Sequence, residues 1–126
     1  MTPSDPSPDT QHPYSPATRH GDLVFVSGSL SVDSDFQPVA GRSEAMVAAL
    51  ERMTERLATV GATLDDVVKL VYYVTDLSLR EEANEQLLAA FSDPRPARTF
   101  VEVSGLPYGS TVEIDATAVV GRQVPQ

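Results

Sequence analysis

Two stretches near the C-terminal end of the chain carry residue types able to do chemistry. Arg98 stands in Ala97-Arg98-Thr99-Phe100-Val101-Glu102, and two carboxylates alternate in Val112-Glu113-Ile114-Asp115-Ala116. A planar guanidinium offers two parallel donors to a carboxylate, each charge-assisted bond contributing roughly 1.5–3 kcal/mol. A glutamate beside an electrophilic carbon can accept a proton from water as the water attacks. From the residues alone the plainer roles stay open: an ion pair of Arg98 with Glu102 or Asp115, and an interface hydrogen bond for Glu113. Other chemistries are disfavoured. The chain has no cysteine, which excludes disulfides, thiolate nucleophiles and thiolate-bound metals. The two histidines, His12 and His20, fall in an expected tail and an expected turn, which argues against a metal site or a Ser-His-Asp triad. Gly28 and Gly41 are too isolated for a phosphate-binding loop, and no cofactor motif is present.

The elements that must hold these residues come from one domain, because 126 residues are too few for two comfortable ones. Nine Lys+Arg against 18 Asp+Glu give a formal charge of −9, and Lys69 is the only lysine. Such a surface repels phosphate backbones, so no nucleic-acid partner is expected. No apolar run approaches the roughly 20 residues of a membrane helix, and the start Met1-Thr2-Pro3-Ser4 does not read as a signal peptide. A cytoplasmic protein with no membrane partner is the expectation. Residues 1–12 read as a disordered tail, 13–122 as the folded domain and 123–126 as a C-terminal tail.

Within the domain, residues 14–19 and 23–27 predict a hairpin around His20-Gly21-Asp22, with Gly28 ending the second strand. Residues 29–41 read as a loop. Met46, Ala49, Leu50, Met53, Leu57 and Val60 recur at helical spacing over 43–60, with Glu51, Arg52, Glu55 and Arg56 on the other side and Gly61 as the left-handed stop. Residues 67–75 predict a buried central strand. Ser78 and Glu81 have capping-box spacing ahead of a second helix striped by Leu79, Ala83, Leu87 and Phe91. Residues 97–103 and 111–120 are the last two strands, with a turn at Leu106-Pro107-Tyr108-Gly109. The order ββ-α-β-α-ββ predicts an α+β fold, two helices on one face of a single sheet. Alternation puts Val112, Ile114, Ala116 and Ala118 under the helices and Glu113, Asp115 and Thr117 opposite. If the last two strands are antiparallel neighbours, Arg98 and Glu113 share the non-helical face. That face is then either solvated or an interface with other copies of the chain.

The stretch from Pro96 to Val103, the turn Leu106-Pro107-Tyr108-Gly109 and Val112-Glu113-Ile114-Asp115-Ala116 together resemble the C-terminal signature of the Rid/YjgF family of imine deaminases. Pro13-Tyr14-Ser15-Pro16-Ala17, Gly21 to Gly28, Asp65-Asp66-Val67-Val68-Lys69, Thr75-Asp76-Leu77 and Asn84 extend the resemblance over about residues 13–121. The resemblance implies a chorismate-mutase-like fold with a mixed sheet, and a homotrimer whose sheets enclose a barrel with clefts between subunits. It implies cofactor-independent hydrolysis of 2-imino acids, such as the tautomer of 2-aminoacrylate, to 2-oxo acids and ammonia. Arg98 would bind the substrate carboxylate and Glu113 would align and activate water. Tyr14, Ser27, Gly28 and Phe100 would line the cleft, with Asn84 hydrogen-bonding behind it. Packing of a buried aromatic and a small strand-end residue remain the plain alternatives for Tyr14 and Ser27. Phe100 stands where many members have cysteine and Ser29 where glutamine is common, which bears on the substrate more than on the chemistry. A specialised enzyme acting on another enamine, or a non-catalytic binding trimer, are the competing expectations.

Overall fold

In the computed structural model, which describes residues 12–122, Gly21 turns the chain with φ 64° and joins β1 (Ala17–His20) to β2 (Leu23–Leu30) as an antiparallel hairpin. A residue without Cβ adopts that left-handed conformation at no steric cost. β1 begins at Ala17 and not at residue 14, behind Pro13 and Pro16, which have no N–H for a ladder. The expected tails 1–11 and 123–126 lie outside the described residues, whereas His12 is part of the described chain. β2 does not end at Gly28. The strand shifts register between Val26 and Ser29 and runs on to Leu30, so Gly28 marks a bulge inside the strand.

The first helix, α1 (Arg42–Ala58), buries Met46, Ala49, Met53 and Leu57 as the spacing predicts, with Ala45 beside them. Gly61 follows with φ 77°. One residue departs from the expected pattern. Arg56, assigned by sequence to the outer side, is 2% exposed and lies among the apolar residues of the stripe. The chain then forms β3 (Val67–Val74), α2 (Arg80–Ala90), β4 (Ala97–Glu102) and β5 (Val112–Val119). The capping box expected at Ser78 and Glu81 is replaced by Asp76, whose carboxylate accepts from Ser78 N at 2.8 Å and starts a single turn at Leu77–Leu79. The Ser78 hydroxyl accepts from Arg42 Nη2 at 3.0 Å, and Arg42 also pairs with Glu82, joining the starts of the two helices.

All five strands form one mixed sheet in the order β1-β2-β5-β3-β4. This overturns the expectation that the last two strands are antiparallel neighbours. β4 runs parallel to β3 on the sheet edge, and β5 crosses back to the centre between β2 and β3. The physical reason lies in the strands themselves. β5 alternates fully buried and half-buried residues, as a strand paired on both sides does. β4 is mostly exposed, carries Arg98 and Glu102, and follows Pro94 and Pro96, the composition of a protected edge. In the register, Arg98 lies beside Leu70 and Phe100 beside Tyr72, and both β3 residues face the helices. Arg98 and Glu113 are therefore on opposite faces.

The core sits between the helices and one sheet face, built from Val24, Val26, Leu70, Val74, Val112 and Ile114 against α1 and α2. The other face is uncovered and leaves Leu23 40%, Phe25 47% and Val101 37% exposed. Among the described residues no helix is long and apolar enough to cross a membrane. Met53 is wholly enclosed between α1 and the sheet, so Met53→Ala is expected to cost roughly 2–5 kcal/mol through lost burial and the cavity left behind. Urea denaturation with an unchanged m-value checks this.

Candidate functional site

The β2 bulge is held from below by Arg56. Its Nη1 donates to Ser27 O at 3.2 Å and to Gly28 O at 2.8 Å, carbonyls that the irregular register leaves unpaired by the ladder. From the other side the segment before β1 is tied on. Ser27 N donates to Pro16 O at 3.0 Å and Ser27 Oγ donates to Ser15 O at 2.6 Å. These bonds bring the Tyr14 ring above Arg56, with 6.0 Å from the guanidinium carbon to the ring centroid. The single proton of the Ser27 hydroxyl is thus committed to the backbone, leaving its oxygen only as an acceptor.

Glu113, in β5, fits into the space that Gly28 leaves empty. A Cβ built on Gly28 would fall 1.8 Å from Glu113 Oε1, so no other residue is tolerated there without moving the carboxylate. Glu113 is half-buried, and burial pushes its pKa above the ordinary carboxylate range; Asp115 adds to the rise and Arg56 opposes it. Asp115 is raised as well, chiefly by burial, while the Tyr73 hydroxyl, which donates to Asp115 Oδ2 at 3.1 Å, works against that. Tyr14, Ser27, Gly28 and Glu113 therefore form one group at the bulge.

Arg98 and Phe100 form a second group on the β4 edge. The Arg98 guanidinium carbon lies 5.2 Å from the Phe100 ring centroid and 5.6 Å from that of Tyr72. Tyr72 is buried and anchored: its hydroxyl donates to Gln86 Oε1 at 2.8 Å, and Gln86 Nε2 donates to Met46 O at 2.7 Å. Neither carboxylate considered as an Arg98 partner takes that role. Glu102 accepts from Leu77 N, and Asp115 accepts from Tyr73. Arg98 Nη1 is buried with no hydrogen-bond partner among the described residues, and burial lowers the Arg98 pKa. A buried donor left unmade costs free energy that an incoming anion would recover. Asn84, expected to hydrogen-bond behind the site, is half-buried on α2.

One chain does not bring the two groups together. β3 stands between β4 and β5, so the strands carrying Arg98 and Glu113 are separated by two ladder spacings, roughly 10 Å, and the residues use opposite faces. Sequence reasoning missed Arg56 and Tyr72. A signal for Arg56 exists, since position 56 stands three after Met53 and four before Val60, on the apolar stripe.

A family profile described as Endoribonuclease L-PSP matches residues 4–120. A RutC family protein of Saccharolobus solfataricus is 34% identical over 117 residues, covering 91% of this chain and 93% of that one. The human protein named 2-iminobutanoate/2-iminopropanoate deaminase is 33% identical over 117 residues, 91% of this chain and 85% of that one. Among solved structures, RidA from the Antarctic bacterium Psychrobacter sp. PAMC 21119 superposes with a TM-score of 0.82 at 33% identity, covering 94% of this chain and 97% of that one. The chain belongs to the Rid/YjgF family.

The raised Glu113 pKa has a stability consequence. The folded chain holds the Glu113 proton more tightly than the unfolded chain, so this group favours folding below its unfolded pKa and loses that contribution as pH rises through the folded value. Glu113→Gln is expected to melt at a higher temperature than wild type near neutral pH, with the gap narrowing toward roughly pH 4. Thermal melts of the two proteins across that range check it.

Proposed function

We propose that the chain hydrolyses 2-imino acids, the tautomers of reactive enamines, to 2-oxo acids and ammonia at a site that two copies build together. The observation that carries this reading is Arg98: a half-buried guanidinium within 5.6 Å of the Tyr72 and Phe100 ring centroids, with one buried nitrogen lacking a partner among the described residues. A substrate carboxylate supplies the missing acceptor. A small imino acid cannot span from Arg98 to Glu113 within one chain, so Arg98 of one copy faces the Glu113 bulge of the next. The uncovered sheet face, with Leu23, Phe25 and Val101 exposed, supports association of sheets into a homotrimeric barrel with three such clefts.

The chemistry then follows from charge and position. Arg98 holds the carboxylate and fixes the imine carbon. Glu113, ionised, accepts a proton from water as the water oxygen bonds to that carbon and the C=N pair moves onto nitrogen, and it hands that proton to the nitrogen to give a neutral carbinolamine. Glu113 then takes the hydroxyl proton as C=O forms and passes it to the amine, which leaves Glu113 ionised again. The C–N bond breaks, and ammonia and the 2-oxo acid leave: R–C(=NH)–COO⁻ + H₂O gives R–C(=O)–COO⁻ + NH₃. The imine carbon is already electrophilic, so positioning and one proton relay suffice without a cofactor. Tyr14 and Gly28 shape the wall beside Glu113, and Phe100 shapes the wall beside Arg98. The human and mouse relatives named as imine deaminases support this reading. The family profile's endoribonuclease description is less well matched by a chain of charge −9 with a single lysine.

The test is release of ammonia and 2-oxo acid from imines generated in situ by an amino-acid oxidase. Arg98→Ala and Glu113→Gln are each expected to lose at least about 100-fold in kcat/KM. Wild-type kcat should fall on the acid side with a limb above the ordinary glutamate range, because ionised Glu113 is required and burial raises its pKa. Co-refolding the two variants in equal amounts should rebuild roughly a quarter of the sites, since each site takes its arginine and its glutamate from different copies. Wild-type rates in Arg98→Ala, or no recovery on mixing two inactive variants, would overturn the reading.

A further inference from the structure

Among the described residues, two hold their backbones in the left-handed region without being glycine: Phe36, with φ 61°, and Tyr108, with φ 62°. Bulky side chains rarely adopt that conformation, and where they do the surrounding structure must enforce it. The two positions lie 72 residues apart, in the loop after β2 and in the turn before β5, yet their rings meet at 4.9 Å between centroids. The loop is locked in place by Asp33, whose carboxylate accepts from Asp35 N and Gln37 N. The turn is closed by the Ser110 hydroxyl, which donates to Pro107 O. Both strained residues thus sit in rigid frames aimed at one spot.

The ring contacts continue from there toward Glu113. His12 meets Phe36 edge-on at 6.0 Å and stacks on Tyr14 at 4.8 Å, and Tyr14 lies over Arg56 at the bulge. Leu30, directly paired with Glu113 in the ladder, lines one small cavity with His12, Phe36, Arg56 and Tyr108. Four rings therefore run from the loop to Arg56, which holds the bulge that Glu113 fills. Packing alone does not account for the outer end of this run, because Tyr108 stays 48% exposed. A strained backbone that buried its ring would be compensated by burial, whereas the strained Tyr108 keeps nearly half of its surface open. Free aromatic faces bind other planar groups by offset stacking.

We infer that His12, Phe36 and Tyr108, together with Tyr14, form an aromatic subsite beside Glu113 that receives a planar, aromatic side chain of the substrate. This rests on the reading of the Glu113 bulge as one half of the imine-hydrolysing site, and it names the substrate class as imino acids with aromatic side chains. The rings grip the side chain while the carboxylate is held elsewhere, so the subsite selects among imino acids without taking part in the proton transfers.

The full-length chain tests this with imines formed in situ from phenylalanine and from alanine, in wild type, Phe36→Gly and Tyr108→Gly. Glycine removes the ring and relieves the left-handed strain together, so both variants should melt no lower than wild type. Wild type should prefer the phenylalanine-derived imine, and each variant should lose about 3- to 10-fold in kcat/KM on it while holding within about twofold on the alanine-derived imine. Equal losses on both substrates, or no aromatic preference in wild type, overturn the subsite and leave imine hydrolysis standing. If neither imine is turned over, the functional reading fails, and calorimetric binding of phenylpyruvate against pyruvate decides the subsite alone. Tighter phenylpyruvate binding that weakens in Phe36→Gly supports it, and equal binding of the two overturns it.

Discussion

The hydrogen bonds from Arg56 to Ser27 O and Gly28 O are the interaction on which the rest of the candidate site depends. A β-bulge leaves carbonyls out of the ladder, and a buried carbonyl without a donor is costly. α1 supplies the donor by sending an arginine inward from a stripe that is otherwise alanine, methionine and leucine. The bulge can then persist, and with it the empty space at Gly28 that Glu113 occupies. The same guanidinium supports the Tyr14 ring and opposes the upward shift of the Glu113 pKa. A helix residue thus governs strand irregularity, ring position and carboxylate charge together. Burying such a charge is unfavourable in itself, so its presence in the core is explained by the geometry it maintains and not by a gain in stability.

Sheet order supplies the second constraint. With β5 in the centre, both neighbouring ladders are satisfied and Glu113 is fixed along a strand paired on each side. With β4 on the edge, Arg98 sits at a margin of the sheet that a neighbouring chain can approach. An arginine in the middle of the sheet would have to be paired within its own chain. At the edge it rests on Tyr72 and Phe100 with one donor unfilled. The Tyr72–Gln86–Met46 chain of hydrogen bonds ties that platform to both helices, so the guanidinium is oriented before any ligand arrives. On the proposed reading, the topology that separates the two groups in one chain is what makes each of them available to another.

Much of this was legible in the residues. The periodicity of α1, the hairpin at Gly21, the stop at Gly61 and the face assignment within β5 follow from local rules, and the structure agrees with each. The failures have a common cause, which is long-range pairing. Nothing local distinguishes a turn at Pro107–Gly109 that joins neighbours from one that carries the chain over an intervening strand, though the charged, proline-flanked β4 had the composition of an edge. Gly28 reads equally as a strand end or as a bulge until the residue facing it is known, and that residue is 85 positions away. The inward turn of Arg56 was masked by treating charge as a marker of the outer face, when its spacing placed it with Met53 and Val60. Of the expected site residues, Tyr14, Ser27, Gly28 and Glu113 do come together, and Arg98 and Phe100 come together elsewhere.

The departures from good folding practice concentrate in these two groups. Arg98 Nη1 is unpartnered, Glu113 is a carboxylate raised by burial, Arg56 is a buried charge, and Phe36 and Tyr108 carry left-handed strain. Outside these groups the interior between helices and sheet is apolar, although Arg52 Nε on α1 is also buried without a partner among the described residues. A sequence under selection for stability alone would remove several of these departures by single substitutions, since glycine suits both left-handed positions and a neutral residue suits position 113. On the proposed reading such costs persist because the site uses an open donor, a raised carboxylate and rings set beside it. These costs fall into two clusters that one chain keeps apart, and the proposed reading accounts for that separation by letting the Arg98 edge of one copy meet the Glu113 bulge of another.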